Sequence, residues 1–148
     1  MKKGEIYEGI IEKVDFPNKG YVCIDDQKVL IKNGIPGQKV RFMIQKKRSG
    51  RAQGRILEVL EKSPFETRDA VCNNFPACGG CMYQTMSYEN QLVMKETQIR
   101  ELLEEALVRG GQVDKNGQAD FDWEGIHGSP IEFGYRNKME FSFGDEYK

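Results

Sequence analysis

Over its first 62 residues the chain alternates short apolar and polar runs with turn signals: EIYEGIIEKVDF, then NKG, YVCID, DQ, KVLIK, NGIPG, QKVRFMIQKK, RSG and RAQGRILEVLEK. This rhythm predicts five strands at close spacing. Within KVRFMIQKK, Val40, Phe42 and Ile44 fall on one face of a period-2 strand while Lys39, Arg41, Gln45 and Lys47 fall on the other, so one face packs and the other is basic. Asn33, Gly34, Pro36 and Gly37 supply a tight connection, and RSG closes a hairpin between the two most basic strands. Five short strands in about 60 residues suit an OB-like barrel, although the turn residues equally allow an SH3-like one. Tyr7, Phe16 and Tyr21 are either core residues of that barrel or an aromatic platform on which bases stack.

The period changes after Ser87. In SYENQLVMKETQIRELLEEALVRGG, Ser87 serves as N-cap with Glu89 in the first turn, and Leu92, Ile99, Leu103 and Ala106 form an apolar stripe. Gly110 and Gly111 end the helix, with Arg109 placed for its C-terminal dipole and Glu96 paired with Arg100. Glu101, Glu104 and Glu105 make it a poor surface for a polyanion, so a structural prop for the preceding segment is expected. GGQVDKNGQADFDWEG then reads as an irregular polar connector. In YRNKMEFSFG, Met139, Phe141 and Phe143 share one face and Arg136 and Lys138 the other, the pattern of an antiparallel strand. The chain is therefore expected to be mainly β with one long helix, an α+β architecture. It divides into a barrel at 1–62, a cysteine loop and helix at 63–111, and the start of a further β domain at 112–148.

Composition adds few constraints: 39% hydrophobic and 10% aromatic residues in 148 suffice for one ordinary domain or two small ones. No stretch approaches the roughly 20 apolar residues of a membrane span, and MKKGEIYEGI has no apolar run behind its lysines, so a soluble cytoplasmic protein with no membrane partner is expected. Charge is more informative. The net charge of -1 hides +6 in residues 1–63 (14 basic, 8 acidic) and -7 in the rest (8 basic, 15 acidic). Between Asp26 and Glu58 no acidic residue occurs, while Lys28, Lys32, Lys39, Arg41, Lys46, Lys47, Arg48, Arg51 and Arg55 do. Such a run is either a solvated basic face or a seat for a polyphosphate backbone.

Three of the four cysteines crowd into VCNNFPACGGCMYQ as Cys72, Cys78 and Cys81. In a reducing compartment this density points to metal or redox chemistry. A structural zinc site uses four ligands, usually as two close pairs, and the second pair is absent here. Iron–sulfur clusters accept uneven spacing with one distant ligand, so C-x5-C-G-G-C favours a 4Fe-4S cluster over zinc. Gly79 and Gly80 let the backbone turn tightly enough for Cys78 and Cys81 to reach one centre. Within the chain the only further candidates for a fourth ligand are Cys23, which sits in a barrel strand where cysteine usually behaves as a small buried hydrophobe, and the sole histidine, His127.

Resemblance narrows these alternatives. IPGQKVRFMIQKKRSGRAQGRILEVLEKSP resembles a TRAM domain, a small RNA-binding β-barrel, over roughly Lys3 to Pro64. RNA contact by Lys39, Arg41, Lys46, Lys47, Arg48, Arg51 and Arg55 is what this implies. CNNFPACGGCMYQTMSYENQLVMKETQI looks like the iron–sulfur segment of the RNA (uracil-5-)-methyltransferase family, enzymes that methylate carbon 5 of uridine in transfer or ribosomal RNA with S-adenosylmethionine. SPIEFGYRNKMEFSFG resembles the start of that family's central RNA-binding β domain and makes Arg136 and Lys138 expected phosphate contacts.

By the same resemblance Cys72, Cys78 and Cys81 are the first three ligands of a structural 4Fe-4S cluster, and the fourth cysteine is expected beyond Lys148. In that family a thiolate adds to carbon 6 of uracil to activate carbon 5, and a carboxylate later removes the carbon-5 proton. Those groups and the S-adenosylmethionine site belong to a C-terminal methyltransferase domain with no counterpart here, so the 148 residues are expected to be inactive alone. Two other readings stay open from the residues: a stand-alone RNA-binding barrel without enzymatic activity, and a small iron–sulfur or zinc protein with no affinity for RNA.

Overall fold

The structure is a computed structural model that describes residues 1–48, 50–76, 80–135 and 138. Six strands form one sheet: β1 (Ile6–Ile10), β2 (Lys13–Asp15), β3 (Lys19–Ile24), β4 (Gln27–Lys32), β5 (Lys39–Arg48) and β6 (Arg51–Glu61). Their spatial order is β1-β5-β6-β4-β3-β2. All pairs are antiparallel except β4 with β6.

The first predicted strand is two. At Ile11 the chain leaves the edge of β5: its amide donates to the Gln38 carbonyl at 2.9 Å and its carbonyl accepts from Gly37 at 2.7 Å. Glu12 then donates to the Tyr21 carbonyl at 3.0 Å, placing β2 beside β3. Because β1 and β2 are consecutive in the chain yet stand at opposite ends of the sheet, this bend draws the sheet round into a barrel-like form. Counted as one bent strand, they restore the five expected strands in an OB-like order. Gly9 permits the closure, since a Cβ there would lie 2.4 Å from Val22 Cγ1.

The barrel core is the inward set of the alternation: Ile11, Val14, Val22, Val29, Ile31, Val40, Phe42, Ile44 and Ala52 are all buried. Asp25 and Asp26, both at positive φ, form the two-residue turn that joins β3 to β4 and fixes Ile24 opposite Gln27. Register shifts along β5 and β6 leave Gln45, Leu57 and Leu60 without direct partners, and such bulges raise the local twist that curls a sheet.

The helix α1 (Tyr88–Arg109) begins at the predicted cap, with Ser87 Oγ accepting from the Asn90 amide at 3.2 Å. Its packing differs from the expected stripe. Leu103 is 42% exposed and Leu102 45%, whereas the buried residue of α1 is Gln98, which donates from Nε2 to the Val14 carbonyl at 2.7 Å. Lys13 Nζ meets Glu101 at 2.7 Å on the same side, so α1 is tied to β2 by polar groups. Arg100 pairs with Glu104 rather than Glu96, because Glu96 takes the Trp123 indole N–H at 2.5 Å. The polar connector contains a hydrogen-bonded turn: Asp114 Oδ1 accepts from the amides of Asn116 (2.8 Å) and Gln118 (2.9 Å), and Val113 bridges to Ala119. Among the described residues no helix is long and apolar enough to cross a membrane.

Candidate nucleic-acid interface and cysteine segment

The basic run resolves into two groups once cross-strand partners are known. Lys39 lies 2.8 Å from Glu61, and Arg41 is held between Glu8 (2.8 Å) and Glu58 (2.6 Å). Those hydrogen-bonded carboxylates raise the Lys39 and Arg41 affinities for their protons and neutralise the outward side of β5. Two of the predicted RNA contacts are thus internal ion pairs on the surface. Lys46, Arg48, Arg51 and Arg55 have no carboxylate within ion-pair distance among the described residues, and Lys47 donates to the Met1 carbonyl at 3.2 Å.

The unpaired cations converge on a different face. Register places Lys19 opposite Lys32, Tyr21 opposite Leu30 and Cys23 opposite Lys28, all on the outward side of β3 and β4. Leu30 in turn faces Gln53 of β6. Two residues further either way, just past the paired stretch, the same parallel register sets Arg51 beside Lys28 and Arg55 beside Lys32. The outward face of β3, β4 and β6 therefore carries Lys19, Lys28, Lys32, Arg51 and Arg55 around Tyr21, with Lys46 and Arg48 at the end where β5 turns into β6. Lys28 Nζ stands 5.9 Å from the Tyr21 ring centroid. This is a positively charged surface with an aromatic group at its centre, the combination that holds single-stranded nucleic acid by phosphate contact and stacking.

The three aromatic candidates separate accordingly. Tyr7 packs against Phe42 with centroids 6.2 Å apart and donates its hydroxyl to Glu5 at 2.6 Å, so it belongs to the core edge. Phe16 is 48% exposed and, with Tyr21, lines a groove of 720 Å³ between β2–β3 and α1. The opposite wall of that groove carries Glu101, Glu104 and Glu105, which turn a polyanion back toward the barrel. Lys28 and Lys32 belong to the basic run read above as a solvated face or a polyphosphate seat but were not named as RNA contacts, and Lys19 lay outside that run. The signal for two of them was legible, since a two-residue turn after YVCI places Lys28 and Lys32 on the Tyr21 side of the hairpin.

The cysteine segment docks on the barrel end formed by the β2–β3 and β4–β5 loops. Ile35 packs with Tyr83 and Met86 in a second small core joined by Met94 of α1. Glu66 accepts from Gln38 Nε2 (2.9 Å), the Ser63 amide (2.7 Å) and Thr85 Oγ1 (2.8 Å), and Tyr83 donates to Asn18 Oδ1 at 3.1 Å. Cys72 and Cys81 are both exposed, and the Cys72 amide is held by Gln84 Oε1 at 3.1 Å. Cys78 and Arg136 lie outside the described residues, as does most of the strand expected at 135–144; Lys138 is exposed.

Neither proposed substitute for a fourth ligand joins the described cysteines in a group of three ligand-type side chains. Cys23 is exposed rather than a buried hydrophobe, and its thiol donates to Glu12 at 3.6 Å. Desolvation first, then that hydrogen bond, push the Cys23 thiol up from its ordinary value. His127 sits in the exposed segment before Gly128, which abuts Leu92 and Tyr88 of α1. Among the described residues no three Cys, His, Asp or Glu side chains converge. The donor chemistry still suits an iron–sulfur centre: Cys72 and Cys81 are thiols on a turn-rich loop beside apolar Phe75 and Met82.

No family model matches the chain. Sequence relatives do. The chain is 43% identical over 146 residues, 99% of its length, to a protein of Caldanaerobacter subterraneus subsp. tengcongensis named an uncharacterized RNA methyltransferase. It is 44% identical over 145 residues to a protein so named from Clostridium tetani, and 37% identical over 148 residues to one from Clostridium acetobutylicum. It spans 30%, 29% and 30% of those three proteins. Over essentially its whole length, then, the chain is related to one portion of proteins named as RNA methyltransferases.

Proposed function

We propose that this chain, a relative of RNA methyltransferases, is the RNA-recruiting and iron–sulfur portion of an S-adenosylmethionine-dependent RNA (uracil-5-)-methyltransferase acting on ribosomal or transfer RNA. The observation that carries the RNA part is the outward β3–β4–β6 face, where Lys19, Lys28, Lys32, Arg51 and Arg55, none with a carboxylate within ion-pair distance among the described residues, lie around Tyr21, while Glu8, Glu58 and Glu61 are engaged by Lys39 and Arg41. A polyanion gains most where cations have no internal partner, because no existing pair must be broken. Unpaired RNA fits better than duplex, since a stacking aromatic reaches only an unstacked base.

Cys72, Cys78 and Cys81 would hold a 4Fe-4S cluster, and such a group bound by thiolates supplies structural cross-linking of the loop. Uracil specificity rests on the resemblance of the cysteine segment, and RNA as substrate on the names of the relatives and the basic face. In this reading the methyl donor and the carbon-6 nucleophile are provided by a methyltransferase domain outside these 148 residues. The test is filter binding of the chain to an unstructured oligoribonucleotide across salt concentrations, alongside iron and sulfide analysis after anaerobic reconstitution. Salt-dependent binding is expected for RNA, and its absence sinks the RNA reading. Zinc retained in place of iron and sulfide sinks the cluster assignment.

A further inference from the structure

Where the barrel meets the cysteine segment there is a cavity of 460 Å³, within the range of about 300–1,000 Å³ typical of small-ligand sites. One wall is β4–β6, contributing Lys32, Arg55, Leu57 and Val59; the other contributes Phe75 and Met82. Leu57 and Val59 are 43% and 42% exposed and Met82 38%, so apolar side chains stand open toward the cavity rather than packed. Leu57 continues the outward series of Arg51, Gln53 and Arg55 on β6 and has no cross-strand partner on β5. Of the two described thiols of the segment, Cys81 lines the cavity and Cys72 does not.

The charge around the cavity is one-sided. Its two carboxylates are already engaged, Glu58 by Arg41 and Glu66 by Gln38, Ser63 and Thr85. Lys32 and Arg55 have no acidic partner among the described residues, and both belong to the basic face that leads from the β5–β6 turn. An occupant with a flat apolar body and an anion on either side meets these demands together. We propose that the cavity receives one unpaired base of the RNA whose backbone follows β4 and β6, with Lys32 and Arg55 holding the flanking phosphates and Phe75 providing the stacking surface. This inference rests on the RNA reading above and adds to it a site where a base, not only the backbone, is held.

The test uses the 148-residue chain and single-stranded oligoribonucleotides carrying 2-aminopurine at one position at a time. Binding is expected to change the fluorescence of one position strongly, and Phe75→Ala and Leu57→Trp are expected to abolish that change, the second by filling the cavity from an exposed bulge. Phe75→Ala should weaken binding about tenfold, as the loss of one stacked base does, and an abasic nucleotide at that position should weaken the unsubstituted chain equally. The salt slope should be unchanged in both variants. If salt-dependent binding persists but fluorescence and affinity are the same in both variants as in the parent chain, the cavity assignment is overturned and the RNA reading stands. If no salt-dependent binding is found, both fall.

Discussion

Removing Arg51 and Arg55 should do what removing Lys39 and Arg41 does not. Each phosphate neutralised on a single strand contributes about -0.7 to the slope of log K against log salt, so the five face cations together give about -3.5. Between about 50 and about 200 mM salt such a slope costs roughly 130-fold in affinity. Arg51→Ala with Arg55→Ala should bring the slope to about -2.1 and the loss over the same interval to roughly 18-fold. Lys39→Ala with Arg41→Ala should leave the slope near that of the parent chain, because those charges are already matched by Glu61, Glu8 and Glu58 at 2.6–2.8 Å. All four residues are on the surface or nearly so, and exposed substitutions of this kind usually change stability by no more than about 0.5 kcal/mol. Fluorescence anisotropy with a labelled, unstructured oligoribonucleotide at four or more salt concentrations gives both slopes. An equal fall in slope for the two double variants would refute the reasoning, since it would show that the β5 ion pairs open to RNA and that pairing in the free protein does not select the binding face.

Gln98→Leu should destabilise the chain by about 1–3 kcal/mol in urea unfolding, the cost of a buried polar group left without its partner, here the Val14 carbonyl; an unchanged midpoint would show that α1 is not anchored there. Gly54→Ala should cost about 1–3 kcal/mol by overpacking, because the new Cβ would lie 2.7 Å from Phe42 Cδ2 and 2.8 Å from Ile31 Cδ1; the same unfolding assay checks it, and a neutral result would mean that the core yields. The backbone amides of Gln118 and Asn116 lower the Asp114 pKa. A lowered folded pKa means stability that is present above the unfolded value and lost as pH falls through the folded one, so the turn amides should keep their protection to a lower pH than an unperturbed aspartate would allow. An NMR titration in which Asp114 titrates like an unfolded aspartate would contradict this.

What the sequence made legible was the barrel and the start and end of the helix. The inward set Val40, Phe42 and Ile44 follows from period-2 alternation alone, and Ser87 and Gly110 act where their chemistry places them. Partner choice across strands was not legible. Arg41 and Arg55 look alike in a run without acidic residues, yet Glu8 precedes that run and Glu58 follows it, and only the register of β1, β5 and β6 brings both to Arg41. Gln98 escaped notice for a related reason. An apolar stripe is visible as periodic hydropathy, whereas a glutamine buried by one hydrogen bond depends on a carbonyl 84 residues away. The relation of Cys23 to Glu12 is likewise a product of β2 pairing with β3, which required the bend at Ile11.

The barrel and the cysteine segment are joined by polar groups whose partners come from both sides. Glu66 gathers Gln38 from the β4–β5 loop, Ser63 from the end of β6 and Thr85 from beyond the cysteines, while Asn18 bonds Asn33 within the barrel and receives the Tyr83 hydroxyl from outside it. No buried side-chain nitrogen or oxygen among the described residues is left without a partner, and a fully satisfied network in low dielectric resists rearrangement because every shift strands a polar group. Ile35, Tyr83 and Met86 add an apolar contact at the same junction. The orientation of Cys81 relative to Lys32 and Arg55 is therefore set by folding rather than by RNA. On the proposed reading, a strand bound along β4 and β6 would meet the cysteine segment in one register, because the junction that fixes Cys81 against Lys32 and Arg55 is already formed without it.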